Sequence, residues 1–273
     1  MGKDLTRVIS ALVMILVVAL LIYLGSATSF WMIFLVGVVV FDELLVNFIR
    51  IDRKSIKYIS SLFLYLVPMI LIFFKFQEFF TNNLLIQICL LMNIALLAYL
   101  FLCERIDFKI TSALESFPFI VSIYIFLNTF SLSYLFFSES WWKLVSVLLF
   151  ITYGMDTGAW FFGKNFGRHK LWPAISPNKT IEGLIGGMLT SGILGGAVFH
   201  VSFQEFYISQ FFVFCMLGAI SQLGDLLQSR IKRESGIKDS SNLIPGHGGL
   251  YDRVDSLFFL TPFYLVLVQY YLS

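Results

Sequence analysis

Long apolar runs, separated mostly by short polar segments, fill the chain almost from end to end. A bilayer core about 30 Å thick needs roughly 20 apolar residues in helical form. Since a backbone in lipid must satisfy its own hydrogen bonds, these runs are predicted to be helices. About nine transmembrane helices are predicted, over residues 8–25, 28–49, 56–76, 84–103, 115–136, 142–163, 182–200, 207–228 and 254–271. The pattern therefore predicts an all-α polytopic integral membrane protein.

Two connections, 164–181 and 229–253, are long and rich in Gly, Pro, Lys and Arg. No repeat, linker or low-complexity tract separates the chain into soluble domains. We expect an N-terminal membrane region of about five spans, 1–140, and a C-terminal catalytic membrane region, 141–273, that carries both loops. The first apolar run lacks a small-residue cleavage site, so it is predicted to be a retained helix rather than a signal peptide.

The composition supports this class. Of the 273 residues, 58% are hydrophobic and 13% are charged, whereas soluble domains carry about 25% charged residues. These values exclude an ordinary soluble enzyme, a disordered chain and a disulfide-rich secreted scaffold. A net charge of +2 gives no indication of nucleic acid as a partner. Cys89, Cys103 and Cys215 lack metal-ligand spacing and are predicted to be small apolar residues.

The basic residues indicate which side of each helix faces the cytoplasm. With a cytoplasmic N-terminus, seventeen of the nineteen lysines and arginines lie in inner segments, and only Lys75 and Lys143 lie outside. Cytoplasmic loops carry such an excess of positive charge. Both long loops are therefore predicted to face the cytoplasm, in the inner membrane if the protein is bacterial.

Carboxylates inside the apolar runs are the first functional signal, because a charge in the bilayer is costly and usually functional. Asp42 and Glu43 lie in the second run, Asp156 in the sixth and Asp225 in the eighth. Asp42 and Glu43 are predicted to be structural or a helix-end pair. For Asp156, which sits among small residues that allow close helix packing, the alternative is a packing site with one paired acid.

Polar residues recur at spacings of three and four along the eighth run, which places them on one helical face. They are Ser221, Gln222, Asp225, Gln228, Ser229 and Lys232. This stripe predicts a polar groove that opens to the cytoplasm and holds the active site. The alternative is a hydrogen-bonded seam between helices.

The loop behind the stripe mixes cations suited to phosphate, glycines that let backbone amides approach an anion, and carboxylates that bind hard metal ions. The cations are Lys232, Arg233, Lys238 and Arg253, the glycines Gly246, Gly248 and Gly249, and the acids Asp239, Asp252 and Asp255. This mixture predicts a metal ion that bridges protein and phosphate oxygens. The alternative is a solvated cytoplasmic loop.

The other long loop adds Lys164, Arg168, Lys170 and Lys179, and it ends in a Ser-Pro-x-Lys-Thr sequence at residues 176–180. Asn178 or Thr180 is predicted to cap the seventh helix, whose positive N-terminal end would then face an anion. A positive-inside anchor would also explain the lysines, but not the Ser-Pro-x-Lys-Thr sequence.

These residues resemble the signature of the phosphatidate cytidylyltransferases, or CDP-diacylglycerol synthases. The signature is occupied without insertion by Ser229, Lys232, Arg233, Lys238, Asp239, Pro245, His247, Gly248, Gly249, Asp252, Arg253 and Asp255. Residues 156–183 resemble two further stretches of the family. Before residue 140 the agreement is in hydropathy only, apart from Glu43. Ser241 stands where the family commonly has Gly, and residues 157–160 replace a more usual Ser-x-Ala-Tyr.

The resemblance implies transfer of a cytidylyl group from CTP to phosphatidic acid in the membrane lipid, with Mg²⁺ and a second monovalent or divalent cation as cofactors. The residues that it implies to be catalytic are Asp225, Lys232, Arg233, Lys238, Asp239, His247, Asp252, Arg253 and Asp255. Nucleotide contacts are assigned to Lys164, Ser176, Lys179, Thr180, Ser229, Gly248 and Gly249. Metal ligands are expected among Asp156, Asp225, Asp252 and Asp255.

Two other classes of function stay open. Buried acids could form the cation path of an ion-coupled transporter, although no inverted repeat supports this. A second lipid-active enzyme, either a CTP-dependent kinase of a polyprenol lipid or a cytidylyltransferase for an ether lipid, would share most of the phosphate chemistry. The sequence also leaves open whether the chain forms a homodimer.

Overall fold

The computed structural model describes residues 3–74, 82–102, 109–205 and 207–272, with side chains from residue 8 to residue 268 in these ranges except that of residue 82. Lys75, Cys103 and Arg105 lie outside the described residues, and so do the side chains of Lys3 and Arg7.

Helices dominate the described part of the chain. They are α1 (Lys3–Leu24), α2 (Ser26–Asp42), α3 (Ile56–Phe73), α4 (Asn82–Leu102), α5 (Ile110–Ser116), α6 (Phe119–Tyr134), α7 (Trp141–Phe166), α8 (Ile181–Phe203), α9 (Ile208–Glu234) and α10 (Tyr251–Leu272). A π-helical segment, Glu43–Phe48, continues α2, and a 3₁₀ turn, Leu135–Phe137, continues α6. Two short strands are β1 (Lys170–Trp172) and β2 (Ser176–Thr180).

Seven helical segments within the described ranges are long and apolar enough to cross a membrane. They run over Ser26–Phe48, Ile56–Phe73, Asn83–Leu102, Phe119–Phe137, Trp141–Phe166, Ile181–Phe203 and Ile208–Glu234. A shorter apolar stretch, Val8–Leu24, lies in α1. The prediction of a largely helical membrane protein is confirmed, while the number nine and the orientation of the helices stay predictions.

The fifth predicted run, 115–136, is interrupted by a proline. Since the residue before a proline avoids helical backbone angles, α5 ends at Ser116 and α6 begins at Phe119, on either side of Phe117 and Pro118. The membrane-length segment therefore starts four residues later than the run.

The contacts between residues divide the chain into two compact units. Unit 1 comprises residues 1–137 and 231–254, and unit 2 comprises residues 138–230 and 255–273. The divisions fall inside α9 and inside α10.

In unit 1, helix α6 packs against α2, α3 and α4. Helices α2 and α3 also meet at Gly37, where an added Cβ would lie 2.0 Å from the Tyr65 hydroxyl oxygen. That hydroxyl donates to the Phe34 carbonyl at 2.9 Å. A glycine is required at this position because a buried tyrosine occupies the space of a side chain.

In unit 2, helix α7 packs along α8 through glycines on both helices. An added Cβ at Gly158 would lie 2.4 Å from Thr190 Oγ1, and one at Gly187 would lie 2.7 Å from Met155 Cε. Small residues at such spacings let membrane helices approach closely. The prediction that the small residues around Asp156 serve close packing is confirmed.

The loop predicted over 164–181 is partly ordered by secondary structure. Helix α7 continues to Phe166, and β1 pairs antiparallel with β2. The all-α prediction missed this hairpin, because strands of three and five residues are too short for an alternating pattern to show.

Candidate functional site

The loop between α9 and α10 is built on a tight turn. Pro245 and Gly246 stand at its two central positions, and the His247 amide donates to the Ile244 carbonyl at 2.9 Å. Gly246 has φ +79°, which fits a type II turn, with proline first and glycine second. Gly248, with φ +82°, then lets the chain turn back so that the Ile244 amide reaches the Gly248 carbonyl at 2.8 Å.

Asp252, at the start of α10, has a buried side chain and accepts hydrogen bonds from residues of the loop and from the end of α9. Its Oδ1 accepts from Lys232 Nζ at 2.8 Å, while Oδ2 accepts from the amides of Ser240 and Gly249 at 2.8 and 3.0 Å. The Asp252 and Lys232 side chains are 5% and 11% exposed. Burial alone would raise the pKa of Asp252, but the Lys232 hydrogen bond and charge, with both amides, outweigh it and hold the pKa below its usual value. The carboxylate is therefore ionised at neutral pH.

Glu43, from the first half of the chain, binds the same loop. It begins the π-helical segment after α2 and is only 3% exposed. Its oxygens accept from the hydroxyls of Ser240 and Ser241 at 2.9 and 2.6 Å, and from the amides of Leu250 and Tyr251 at 2.9 and 2.8 Å. These four donors supply the hydrogen bonds that a buried carboxylate needs. We refer to Glu43, Lys232, Ser240, Ser241 and Asp252 as the loop cluster.

Asp42, the neighbour of Glu43, makes different contacts. It accepts two hydrogen bonds of 2.7 Å from the Arg53 guanidinium and one of 2.9 Å from the Tyr58 hydroxyl. Asp42 and Glu43 therefore have separate partners.

Further side chains from the first half of the chain hold the loop backbone. Asn47 Nδ2 donates to the Ser240 carbonyl at 2.6 Å, and Ser10 Oγ donates to the Pro245 carbonyl at 3.0 Å. The Tyr99 hydroxyl donates to Glu234 at the end of α9. The loop shape thus depends on residues more than 100 positions away in sequence.

A pocket of about 580 Å³ opens along this loop. It is lined by Lys238, Asp239, Asn242, Ile244, Pro245, Gly246, His247, Gly248 and Arg253. We call it the loop pocket. Two cations, a histidine and a glycine turn along one cavity form a site suited to phosphate, because guanidinium and ammonium groups make charge-assisted hydrogen bonds to phosphate oxygens.

The predicted residues of this loop are not all in the loop pocket. Arg233 is exposed and donates to the Ile237 carbonyl at 3.4 Å. Gly249 is buried and its amide donates to Asp252, so this amide supports the loop cluster.

Gly249 has no room for a side chain. An added Cβ there would lie 1.9 Å from Ser240 Oγ and 2.7 Å from Glu43 Oε1. We expect Gly249→Ala to destabilise the protein by about 2 kcal/mol or more, since overpacking a tight site typically costs 1–3 kcal/mol. Gly196→Ala is the control, because nothing lies within 4 Å of its added Cβ. Thermal unfolding in detergent measures both, and equal midpoints would contradict the prediction.

Unit 2 contains a second cluster of predicted residues, centred on Asp225 in α9. Lys179 Nζ lies 2.7 Å from Asp225 Oδ2, and Ser229 Oγ donates to Oδ1 at 3.3 Å. The Lys179 and Asp225 side chains are 19% and 32% exposed. We call this group the α9 pair.

The hairpin and the start of α8 place Lys179. Thr180 caps α8, with its Oγ1 accepting from the Gly183 amide at 3.1 Å, whereas Asn178 lies in β2. Of the two predicted caps, Thr180 is therefore confirmed. Lys179 precedes the cap directly, so a cation stands beside the positive end of the helix.

The remaining predicted residues of unit 2 lie in varied surroundings. Asp156 is exposed on α7, and Lys164 Nζ lies 5.0 Å from the centre of the Trp160 ring. Asp255 is buried in the first turns of α10, with its Oδ1 accepting from the Ser256 amide at 2.7 Å. Ser176 is paired with Trp172 in the hairpin.

Within the described ranges, no group of three or more His, Cys, Asp or Glu side chains is arranged to hold a metal ion. Mg²⁺ in phosphate-transfer sites is commonly held by one or two carboxylates together with substrate phosphates. The partly exposed carboxylate of Asp225 fits such a donor set. The donor chemistry is therefore compatible with Mg²⁺, which stays a prediction.

Sequence reasoning missed the residues that shape the loop. Ser10, Asn47, Ser240 and Ser241 carry no recognisable spacing. Two signals from the family resemblance were available. Glu43 stands near a Glu of the family, and Ser241 stands where the family commonly has Gly. The Ser241 hydroxyl binds Glu43.

The apolar helices define a membrane protein, and sequence comparison assigns its family. The profile of the cytidylyltransferase family matches residues 5–271. The chain belongs to the cytidylyltransferase family.

Individual relatives match part of the chain. A phosphatidate cytidylyltransferase from Staphylococcus aureus (strain COL) is 48% identical over 116 residues, which is 41% of this chain and 44% of the relative. The protein of the same name from Bacillus subtilis (strain 168) is 43% identical over 120 residues, or 43% and 44% of the two lengths. The matched part thus spans less than half the length of these relatives.

Proposed function

We propose that this protein is a phosphatidate cytidylyltransferase, which converts CTP and phosphatidic acid into CDP-diacylglycerol and diphosphate. The observation that carries the proposal is the loop pocket, where Lys238, Arg253 and His247 line one cavity. Membership of the cytidylyltransferase family and the names of the relatives support the same reaction. The apolar helices support the proposal, because phosphatidic acid is a membrane lipid.

The reaction is an in-line displacement. A phosphate oxygen of phosphatidic acid attacks the α-phosphorus of CTP, one P–O bond forms, and the bond to the β-phosphate breaks to release diphosphate. No general base is needed, because the attacking phosphate is already ionised. Lys238 and Arg253 reduce the repulsion between two polyanions and bind phosphate oxygens.

Lys232 contributes indirectly, because its ammonium group is bound to Asp252. By holding this carboxylate and, through it, the Gly249 amide, Lys232 keeps the loop in the shape that forms the loop pocket. Lys179 is the cation that we assign to the leaving diphosphate, since it stands at the start of α8.

Mg²⁺ would be held by carboxylates among Asp156, Asp225, Asp252 and Asp255, and it would offset charge that develops on the phosphates. We also place the polar groove and the N-terminus on the cytoplasmic side of an inner membrane. The excess of lysine and arginine in the segments predicted to be cytoplasmic supports this orientation.

The position of a radioactive label tests the reaction. Purified protein in detergent is given Mg²⁺, phosphatidic acid and CTP labelled at either the α- or the γ-phosphate. Label should enter the lipid from α-labelled CTP only. Transfer from γ-labelled CTP would instead identify a lipid kinase, and no transfer to any lipid acceptor would overturn the proposal. Ether-linked phosphatidate in parallel reports the acceptor preference.

Removing a cation from the loop pocket should weaken CTP binding. We expect Lys238→Met and Arg253→Met each to raise KM for CTP about 10- to 100-fold, since a hydrogen bond to a charged group contributes about 1.5–3 kcal/mol. Lys57→Met removes an exposed lysine on α3 and serves as the control. Steady-state kinetics measure the effect, and an unchanged KM in both pocket variants would exclude the phosphate contact.

A further inference from the structure

Helix α1 reaches the loop pocket through one polar side chain. Ser10 Oγ lies 3.0 Å from the Pro245 carbonyl oxygen and 3.0 Å from His247 Nδ1. Around it, α1 is mostly exposed, as at Val8 and Leu12. A serine in the first helix thus touches both the turn of the loop and a histidine that lines the pocket.

These two contacts determine where the histidine carries its hydrogen. A hydroxyl has one proton to donate, and a carbonyl oxygen can only accept. Both hydrogen bonds form together only when Ser10 donates to Pro245 and its oxygen accepts from His247 Nδ1. It follows that His247 has its hydrogen on Nδ1 when the ring is neutral.

The choice of tautomer matters for the pocket. With Nδ1–H fixed, Nε2 is the nitrogen that changes between acceptor and donor, so it is the ring atom that can interact with a phosphate group of the substrate. Lys238 and Arg253 supply positive charge along the same cavity. In His247, the direction in which Nε2 points depends on the orientation of the ring. The contact with Ser10 of α1 holds that orientation.

We propose that Ser10 is a positioning residue: it fixes the Nδ1–H tautomer and the ring orientation of His247, so that Nε2 meets a phosphate group of CTP or phosphatidic acid. The inference rests on the proposed function for the identity of the substrate. The tautomer itself can be measured without any substrate.

The first test is spectroscopic. The chain has three histidines, so ¹⁵N-histidine-labelled protein in detergent gives few signals in long-range ¹H–¹⁵N spectra, and His247→Gln identifies the signals of His247. We expect the Nδ1–H pattern in the unmodified protein and in Ser10→Thr, which keeps a hydroxyl. In Ser10→Ala the pattern should change to Nε2–H or to a mixture. The same Nδ1–H pattern in Ser10→Ala would overturn the proposal, whether or not the enzyme is active.

The second test is kinetic, with label transfer from α-labelled CTP as the assay. We expect Ser10→Ala to lower kcat/KM about 3- to 10-fold, the effect of one lost neutral hydrogen bond, and Ser10→Thr to restore most of it. If Ser10 acts through His247, then Ser10→Ala should have a much smaller effect in a His247→Ala background. Equal effects in both backgrounds would instead assign the loss to the Pro245 contact and overturn the role of the histidine.

Ser60→Ala is the matched control, because Ser60 is exposed and donates within its own helix, to the Lys57 carbonyl. It should leave both readouts unchanged. If the unmodified protein transferred no cytidylyl group, the proposed function would fail, and the tautomer measurement would still decide whether Ser10 controls His247.

Discussion

Replacement of Glu43 by alanine is expected to lower cytidylyl transfer severely, although Glu43 is outside the loop pocket. The substitution leaves the Ser241 hydroxyl and the amides of Leu250 and Tyr251 without the acceptor that Glu43 supplies, while the Ser240 hydroxyl keeps Asp252 as an acceptor at 3.1 Å. Each unsatisfied buried donor costs about 1–3 kcal/mol, and breaking a buried charged network typically costs about 3–5 kcal/mol. We therefore expect at least a 100-fold loss of kcat/KM.

Thermal unfolding should show the same defect. A loss of about 3–5 kcal/mol corresponds to a midpoint lowered by roughly 10 °C in a chain of this size. Glu43→Gln keeps one acceptor oxygen and should fall between the unmodified protein and Glu43→Ala. Both properties are measured in detergent, by label transfer and by a thermal melt.

Asp42→Asn is the control, since Asp42 is adjacent in sequence but pairs with Arg53, whose side chain is 63% exposed. An exposed ion pair contributes about 0–1 kcal/mol, so this variant should stay close to the unmodified protein. If Glu43→Ala kept normal activity and a normal midpoint, Glu43 would not be what holds the loop.

The second large effect is expected at the α9 pair. We expect Lys179→Met and Asp225→Asn each to lower kcat about 100-fold or more, as is typical when a preorganised charge at a transition state is removed. The reason is that both side chains are partly buried and bind each other at 2.7 Å. Steady-state kinetics with Mg²⁺ varied separate a change in kcat from a change in metal affinity.

The double variant Lys179→Met/Asp225→Asn distinguishes two roles. If the pair is only structural, removing both charges should restore activity relative to either single variant. If each residue acts on substrate or metal, the double variant should be no better than the worse single one. His169→Gln is the control, because it breaks an exposed contact with Glu182 near the same helix start. Single variants with more than half of normal kcat would contradict the prediction.

Several features were predictable because they depend on short stretches of sequence. The helices follow from runs of apolar residues, whose transfer into lipid adds up residue by residue along the chain. The cap at Thr180 is likewise local, since it depends on a few neighbouring residues. The residues of the loop pocket come from one continuous segment, 238–253, which explains why a motif could indicate them.

The partners of these residues were not predictable in the same way. Asp252 was identified as a metal ligand from its residue type, and in the structure its oxygens accept from Lys232, Ser240 and Gly249. Asp225 was identified from its place in a polar stripe, but its contact with Lys179, 46 positions earlier, follows from the packing of unit 2.

The sequence by itself determined the membrane class and the positions of most helices, because hydropathy acts between neighbours in the chain. The tertiary structure alone decided what holds that loop in shape. Glu43, Asn47 and Ser10 reach it across 190 to 240 positions of sequence, and a hydrogen bond forms only when folding brings donor and acceptor within about 3 Å. No pattern along the chain specifies that distance.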